Sequence, residues 1–187
     1  MMGGMDLFFF DSETTGFGSC HIVEGAFAFT PHIAGTFRTP EIRTFRVKPP
    51  IPIDPDATRV HGISDEDVAA LPAFATIPEY EMLREILPSC LLIAHNAPFD
   101  RAVLEREGLS VPNVIDTRRV AKAVFPDVPN HQLQTLRRHL GINLEAKAHS
   151  AAGDVAVLIG LFILAQSEIM RIHGDSAEEA LSRMARY

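Results

Sequence analysis

Short apolar runs separated by polar turns mark the first quarter of the chain as β-rich. Residues 7–10 are apolar and largely aromatic, and they end at Asp11, which is typical of a buried strand. Residues 22–30 and 36–48 carry further β-type patterning, with a proline and a glycine between them. Three strands joined by short turns predict an antiparallel start to a sheet.

The pattern changes after residue 48. Residues 49–55 are rich in proline, which excludes regular helix and central strand and predicts a connection across the surface. Ser64 is placed to cap a short acidic helical turn at residues 65–67. A second helix is predicted over residues 78–87, where Thr76 and Glu79 have capping-box spacing.

Helices and strands alternate in the second half of the chain. Apolar strands are predicted at residues 90–94 and 114–116, and the helix between them, at residues 98–107, ends at Gly108. Further helices are predicted at residues 118–125, 131–140 and 150–172, with Asp116 and Thr117 capping the first of them. We therefore predict an α/β fold: a mixed sheet of three antiparallel strands, then alternating helices and strands, with helices packed on it.

Composition supports one globular domain over residues 1–187. Of the 187 residues 47% are hydrophobic, enough for a substantial core. The 24 acidic and 17 basic residues give a formal charge of -7, which argues against broad contact with duplex phosphates. A small site that holds a few nucleotides through metal ions stays compatible with this charge, because the ions supply positive charge locally.

The same composition predicts a cytoplasmic protein. Cys20 and Cys90 are too few for a disulfide framework and lack the paired spacing of a zinc site. The first residues lack the basic and apolar regions of a signal peptide. The longest apolar run, residues 155–165, is shorter than the roughly 18 residues of a membrane span, so we expect no membrane association.

Candidate chemistry lies in three short contexts, each of which also has a structural explanation. Asp11 and Glu13 are two residues apart at a strand end, which points both side chains to one side, although Asp-Ser-Glu is also good turn chemistry. Asn96 can cap the next helix and Asp100 suits its first turn, yet both follow the end of a strand, where α/β sheets commonly place their sites. His149 and Asp154 flank the start of the last helix.

Together these contexts predict a two-metal nuclease site. In-line attack on a phosphodiester needs a nucleophilic water, a stabilised leaving oxygen and charge neutralisation, which carboxylates holding two divalent ions supply. Oxygen-rich ligands favour Mg²⁺, with Mn²⁺ as a substitute, over zinc. We assign Asp11 as the bridge between two ions about 3.5–4 Å apart. His149 is assigned as the base that takes a proton from the attacking water.

The motifs resemble those of one enzyme family. Phe-Asp-x-Glu-Thr-Thr-Gly at residues 10–16, His-Asn-Ala-x-Phe-Asp at residues 95–100, and His149 five positions before Asp154 occur in the order found in DnaQ-like, or DEDDh, 3'→5' exonucleases. His61-Gly62-Ile63 is similar to the family's loop between the first two motifs. Residues 94–104 and 177–185 look most like the exodeoxyribonuclease X subfamily.

The resemblance implies a ribonuclease H-like fold, helices on both faces of the sheet, and release of nucleoside 5'-monophosphates from a 3' end. It implies catalysis by His149 with metal binding by Asp11, Glu13, Asp100 and Asp154. It also implies contacts with the terminal nucleotides by Thr14, Thr15, Gly16, His61, Asn96 and Phe99. For Phe99, a base-stacking surface and a core position are both open.

We therefore expect a Mg²⁺-dependent 3'→5' exonuclease whose partner is nucleic acid with a free 3' end, favouring single-stranded or frayed DNA. Two alternatives stay open. An exoribonuclease acting on short RNA would use the same carboxylates, because substrate choice depends on how the pocket treats the 2'-hydroxyl. A non-catalytic module that binds nucleic-acid ends would usually have lost a ligand or the base. A homodimer is left open, and an independent repair or turnover role is favoured over a fixed proofreading subunit.

Overall fold

A mixed five-stranded sheet forms the centre of the computed structural model, which describes residues 5–31, 40–143 and 150–187. The sheet has the strand order β3-β2-β1-β4-β5. β2 pairs antiparallel with β1 and β3, β4 runs parallel to β1, and β5 runs parallel to β4, which confirms the predicted sheet. The strands are β1 (Leu7–Thr14), β2 (Ile22–Thr30), β3 (Ile42–Arg46), β4 (Leu91–Ala94) and β5 (Val114–Asp116).

Eight α-helices and one short 3₁₀ helix, Phe74–Thr76, accompany the sheet in the described residues. Six α-helices lie close to their predicted positions, and two were not predicted. The α-helices are α1 (Pro55–His61), α2 (Asp65–Val68), α3 (Pro78–Ile86), α4 (Ala97–Arg106), α5 (Thr117–Val124), α6 (Leu133–His139), α7 (Ala151–His173) and α8 (Ala177–Met184).

The two unpredicted helices, α1 and α8, both begin at side-chain caps. The Asp54 carboxylate accepts a hydrogen bond from the Asp56 backbone N–H at 2.7 Å, and Pro55 stands at the first helical position, where a missing N–H costs nothing. The last proline of the predicted surface connection therefore starts a helix. α8 has a complete capping box formed by Ser176 and Glu179.

The predicted caps have mixed outcomes. The Ser64 cap is confirmed, as a capping box with Asp67, and so is the Asp116 cap on α5. The capping box of Thr76 and Glu79 is wrong, because Thr76 belongs to the 3₁₀ helix and its hydroxyl donates to the Ala73 carbonyl at 2.7 Å. α3 begins after Ile77 without a side-chain cap, so Pro78 alone marks its start.

Alternation along β1 divides the core between the two faces of the sheet. Phe8 and Phe10 pack against residues of α3 and α4, whereas Leu7 and Phe9 pack against α5, α7 and α8. Phe9 meets Phe162 of α7 edge-to-face, with ring centroids 5.3 Å apart. Helices on both faces confirm the expected architecture.

The central helix α7 is long and apolar enough, by length and composition, to cross a membrane. Of its most apolar 18-residue window, 44% is buried inside the fold, where Val155, Leu158 and Phe162 pack on the sheet. An apolar helix that packs on a sheet needs this composition for its core contacts. The expectation of no membrane association stays a prediction.

Candidate active site

The strand β1 continues beyond its predicted end at Phe10, and this extension shapes the site. Its last residues still pair with β2, with Asp11 opposite Ala26 and Glu13 opposite Glu24. Pairing with the parallel neighbour β4 stops earlier, at Phe9 and Ile93. Among the described residues, the last part of β1 therefore has a strand neighbour on one side only, which leaves space at the carboxyl end of the sheet.

Three carboxylates meet in this space. Asp11 and Glu13 share one face of β1, as their spacing predicted, and Asp154 reaches them from the first turn of α7. Ligand oxygens of these three residues all lie within 4.8 Å of one another. The Ser150 hydroxyl accepts from the Gly153 backbone N–H at 3.3 Å and so sets where α7 begins, confirming the predicted start.

Asp100 joins this group from the other side of β1. Its side chain lies in the first turn of α4 and is 3% exposed, and it accepts a hydrogen bond from the Ser12 hydroxyl at 2.8 Å. Among the described residues it falls outside the set within 4.8 Å, yet its charge acts on Asp11. Ser12, between the two predicted ligands, was not predicted as a site residue.

Burial and mutual repulsion raise the pKa values of these carboxyl groups. Burial, followed by the charges of Asp100, Asp154 and Glu13, raises the pKa of Asp11 well above its ordinary value. Burial, with Asp154 next, raises the pKa of Glu13 to about 7. Burial also raises the pKa of Asp100 to about 7, although the hydrogen bond from Ser12 opposes the shift. Without a cation, the group therefore retains protons near neutral pH.

Gln134 is a further polar contact of the group that the sequence did not reveal. Its amide nitrogen, on the first turn of α6, donates to Asp154 Oδ1 at 2.5 Å. The two residues are 20 positions apart and on different helices. This bond helps to orient the Asp154 carboxylate within the group.

A cavity of about 290 Å³ opens beside the carboxylates. Four of the six residues predicted to contact nucleotides line it: Thr14, Gly16, His61 and Phe99. Glu13, predicted as a metal ligand, also lines it. The sequence did not single out the remaining lining residues, which are Ser12, Phe17, Asp54, Asp56, Ala57 and Val60.

Aromatic side chains give this cavity two apolar walls. Phe17 is 96% exposed, so its ring is available to a ligand. Phe99 is half-buried: it packs against the core of the α3 and α4 face, which supports its core position, and it also lines the cavity. Its role as a base-stacking surface stays a prediction. Gly16 has φ 148°, and a Cβ there would lie 3.3 Å from Asp54, which explains glycine in this wall.

His61 is held as a neutral imidazole by the backbone. The Ile63 N–H donates to its Nδ1 at 3.1 Å, so Nε2 carries the proton and donates to the Thr14 carbonyl at 3.2 Å. Burial lowers the pKa of His61, which agrees with this assignment. Both ring nitrogens are thus engaged in holding α1 against the end of β1.

Thr15 and Asn96 were predicted to contact nucleotides, but neither lines this cavity. Thr15 is 4% exposed, and its hydroxyl accepts from the His21 backbone N–H at 3.1 Å. Asn96 is exposed with φ 73° and occupies the N-cap position of α4 as predicted, but its side chain makes no capping bond. Its left-handed backbone instead lets its N–H donate to Asp116 Oδ1 at 2.9 Å.

The fifth predicted catalytic residue, His149, lies outside the described residues. Its neighbour Ser150 is described, and Ser150 begins the helix that carries Asp154. The role of His149 stays a prediction.

The donor set fits a hard divalent cation. The clustered side chains offer carboxylate oxygens, the ligands that Mg²⁺ and Mn²⁺ prefer, and the group contains no thiol or imidazole that would favour zinc among its described members. A cation would also relieve the repulsion that raises the pKa values of Asp11 and Glu13. The same carboxylates therefore offer suitable ligands for a cation, and a bound cation would reduce the repulsion between them.

Comparisons with known proteins agree with this geometry. The family model RNase_T, described as "Exonuclease", matches residues 8–162. A "DNA polymerase III subunit epsilon-like protein" of Rhodobacter capsulatus is 33% identical over 163 residues, covering 82% of this chain and 23% of that protein. A "DNA polymerase III subunit epsilon" of Treponema pallidum is 32% identical over 186 residues, covering 92% of this chain and 82% of that protein.

A solved structure is similar over nearly the whole chain. It is described as "Exonuclease X in complex with 5' overhanging duplex DNA", and it matches with a TM-score of 0.72 and 28% identity. The match covers 96% of this chain and 98% of that one. By contrast, the chain spans only 23% and 49% of the first two curated relatives that it matches.

Proposed function

Because this chain belongs to the DnaQ-like 3'→5' exonuclease family, we propose that it removes nucleotides from the 3' end of DNA in a metal-dependent reaction. The observation that carries the proposal is the group of Asp11, Glu13 and Asp154, with oxygens within 4.8 Å, beside an open cavity. The named DNA complex of the similar exonuclease X supports DNA as the polymer. The metal supported by the donor set is Mg²⁺, with Mn²⁺ as a substitute.

In the proposed reaction each carboxylate has a separate task. Asp11 would bridge two ions, Glu13 and Asp154 would hold one of them, and Asp100 would hold the other. When bound, such ions lower the pKa of water and neutralise charge on the phosphate. Ser12 and Gln134 position Asp100 and Asp154 through their hydrogen bonds. His149 would take a proton from the attacking water, and the bond between phosphorus and the 3'-oxygen of the preceding nucleotide would break. With a proton returned to that oxygen, the shortened strand would keep a new 3'-hydroxyl and a nucleoside 5'-monophosphate would be released.

The cavity is proposed to hold the terminal nucleotide of the strand. Its volume of about 290 Å³ is close to the lower end of the roughly 300–1,000 Å³ range of ligand pockets. Phe17 and Phe99 offer apolar rings on which bases can stack. His61 would act indirectly, since both its ring nitrogens hold backbone groups. Contacts of Thr15 and Asn96 with the strand stay predictions, as do self-association, the cytoplasmic location and the single-domain organisation.

An exonuclease assay tests this function directly. A single-stranded DNA carrying a 5' label and a free 3'-hydroxyl should shorten one nucleotide at a time in Mg²⁺, with release of 5'-monophosphates. The same strand with a blocked 3' end, and the reaction in excess chelator, should show no shortening. Release of long fragments, or shortening from the 5' end, would refute the proposal.

DNA and RNA strands of the same length and sequence, compared in the same assay, show which polymer is the better substrate. Our proposal expects the higher kcat/KM for DNA, and a higher value for RNA would select the exoribonuclease alternative. Mg²⁺-dependent binding of either strand without any cleavage would select the non-catalytic module.

The raised pKa values predict that the effect of Mg²⁺ on stability depends on pH. In chelator, the folded protein holds a proton on Glu13 up to a pKa of about 7, whereas the unfolded chain releases it near the ordinary value of 4.5. This contribution to the free energy of unfolding is therefore present at low pH and is lost as the pH rises between those values. Asp100, also shifted to about 7, acts in the same direction.

Since the ion competes with these protons, Mg²⁺ should raise the melting temperature several degrees more at about pH 8 than at about pH 5. Differential scanning calorimetry with and without Mg²⁺ measures the difference. Glu13→Gln should reduce it, while the exposed Glu66→Gln should leave it unchanged. An equal Mg²⁺ effect at both pH values would contradict a metal site built on these carboxyls.

A further inference from the structure

One helical segment of this acidic protein carries an excess of positive charge. Residues 117–139 contain five Lys or Arg and a single Asp or Glu, whereas the other residues contain 12 basic and 23 acidic ones. This segment forms α5 and α6. A net positive surface on a chain with a formal charge of -7 is not explained by solubility, since acidic residues would serve that equally well.

Three of these basic side chains are exposed and form no ion pair with the part of the chain that the structure describes. Arg119, Lys122 and Arg138, which we call the basic face, form no ion pair among the described residues. Elsewhere in the described chain, arginines commonly pair with a carboxylate. Those pairs involve Arg46, Arg59, Arg84, Arg101, Arg171 and Arg183.

Both helices of the basic face begin at the edge of the sheet that holds the active site. α5 follows directly from β5, and His95, just after β4, contacts the Thr117 hydroxyl at 3.0 Å and the His131 carbonyl at 2.9 Å. α5 and α6 also pack together with α7, through Ala121, Leu136 and Val157 among others. These contacts hold both helices against α7.

The helical period connects the basic face to the carboxylates. Gln134 donates to Asp154, and Arg138 is four residues further along α6, so it lies on the same side of the helix one turn away. On α5, Arg119 and Lys122 are three residues apart and share an exposed side. Arg138 therefore lies about one helical turn from the Gln134–Asp154 contact, and Arg119 and Lys122 lie on α5, which packs on the same helix α7.

We propose that the basic face binds the phosphate backbone of the DNA strand upstream of the 3' end that occupies the active site. This inference rests on the proposed function and deepens it, because it assigns the path of the strand beyond the terminal nucleotides. The acidic remainder of the protein repels DNA, so a positive surface beside the site is needed to retain a long strand between cleavage steps. Contacts with the phosphate backbone carry no base specificity, so this binding is independent of the DNA sequence.

The test removes the three charges together and compares two substrate lengths. In Arg119→Gln/Lys122→Gln/Arg138→Gln, the KM for a long single strand should rise about tenfold or more at about 50 mM salt, while kcat changes little. The effect should be much smaller for a dinucleotide, which is too short to leave the cavity. The slope of log KM against log salt should fall by about two, since each lost phosphate contact on single strands contributes about 0.7.

A control variant matches the change in charge on other surfaces. Arg84→Gln/Arg171→Gln/Arg186→Gln removes three exposed arginines from α3, α7 and the segment after α8. It should keep the KM and the salt slope of the unmodified protein. An equal effect of both triple variants would assign the result to net charge and overturn the proposal.

DNA binding measured without cleavage tests the basic face independently of the proposed exonuclease activity. If the protein cleaves nothing, fluorescence anisotropy of a labelled single strand in chelator still compares the two triple variants. Weaker binding in the α5 and α6 variant alone would support the basic face. Unchanged DNA affinity in that variant would refute binding of DNA by the basic face. An acidic protein would then be the partner to test.

Discussion

Asp11→Asn is expected to lower the rate of nucleotide release by about 10³-fold or more, equivalent to about 4 kcal/mol of transition-state stabilisation. The charges of Asp100, Asp154 and Glu13 all raise the pKa of Asp11, so Asp11 lies at the centre of the four carboxylates. The amide keeps the shape of the side chain but removes the charge that a bridging ligand needs. Single-turnover rates on a 5'-labelled strand measure the loss.

The same substitution should not weaken the fold. A carboxyl whose pKa is raised by burial and repulsion is costly to ionise, so removing its charge should maintain or raise the melting temperature at about pH 8 in chelator. Mg²⁺ should then stabilise the variant far less than the unmodified protein. Loss of activity through unfolding would instead lower the melting temperature.

Two further variants separate the roles in this site. His149→Gln should lower kcat by about 10²–10⁴-fold as expected for a lost general base, yet preserve stabilisation by Mg²⁺. Asp127→Asn, in an exposed turn, should change neither property. A rate for Asp11→Asn within about tenfold of the unmodified protein would exclude Asp11 as the bridging ligand.

Phe9→Ala is expected to reduce the free energy of unfolding by about 3–5 kcal/mol, the range for removing a buried aromatic ring. Phe9 is fully buried and lies where β1 pairs with both β2 and β4. Its ring packs edge-to-face on Phe162 of α7, so the deletion leaves a cavity between sheet and helix. For a chain of this size the melting temperature should fall by about 6–20 °C.

Phe17→Ala is the matched control, because it removes the same ring from a 96% exposed position. It should change the free energy of unfolding by less than about 0.5 kcal/mol. Both variants are compared by chemical denaturation in chelator, so that bound ions do not contribute. Equal destabilisation by the two would show that the Phe9–Phe162 contact does not hold α7 on the sheet.

Much of the active site was predictable because its signals are local. Successive side chains of a strand point to opposite faces, so Asp11 and Glu13 lie on the same face wherever the strand packs. The structure confirms that their side chains are together. Ser150 sets the start of α7 through a hydrogen bond three residues away, which brings Asp154 into the first turn. The predicted capping box of Thr76 and Glu79 is wrong for a local reason: the Thr76 hydroxyl donates to the Ala73 carbonyl.

The amino-acid sequence by itself predicted the mixed sheet, its five strands and six of the eight described α-helices, because periodicity and capping act over a few residues. It also predicted candidate site residues, from the chemistry of their motifs and from the family resemblance, and the structure brings Asp11, Glu13 and Asp154 together. Tertiary structure alone decided how far β1 extends, the neutral state of His61, and the bonds of Ser12 to Asp100 and Gln134 to Asp154. Those bonds join residues 88 and 20 positions apart, and that of His61 to Thr14 spans 47. Such contacts depend on how strands and helices pack, which no local pattern encodes.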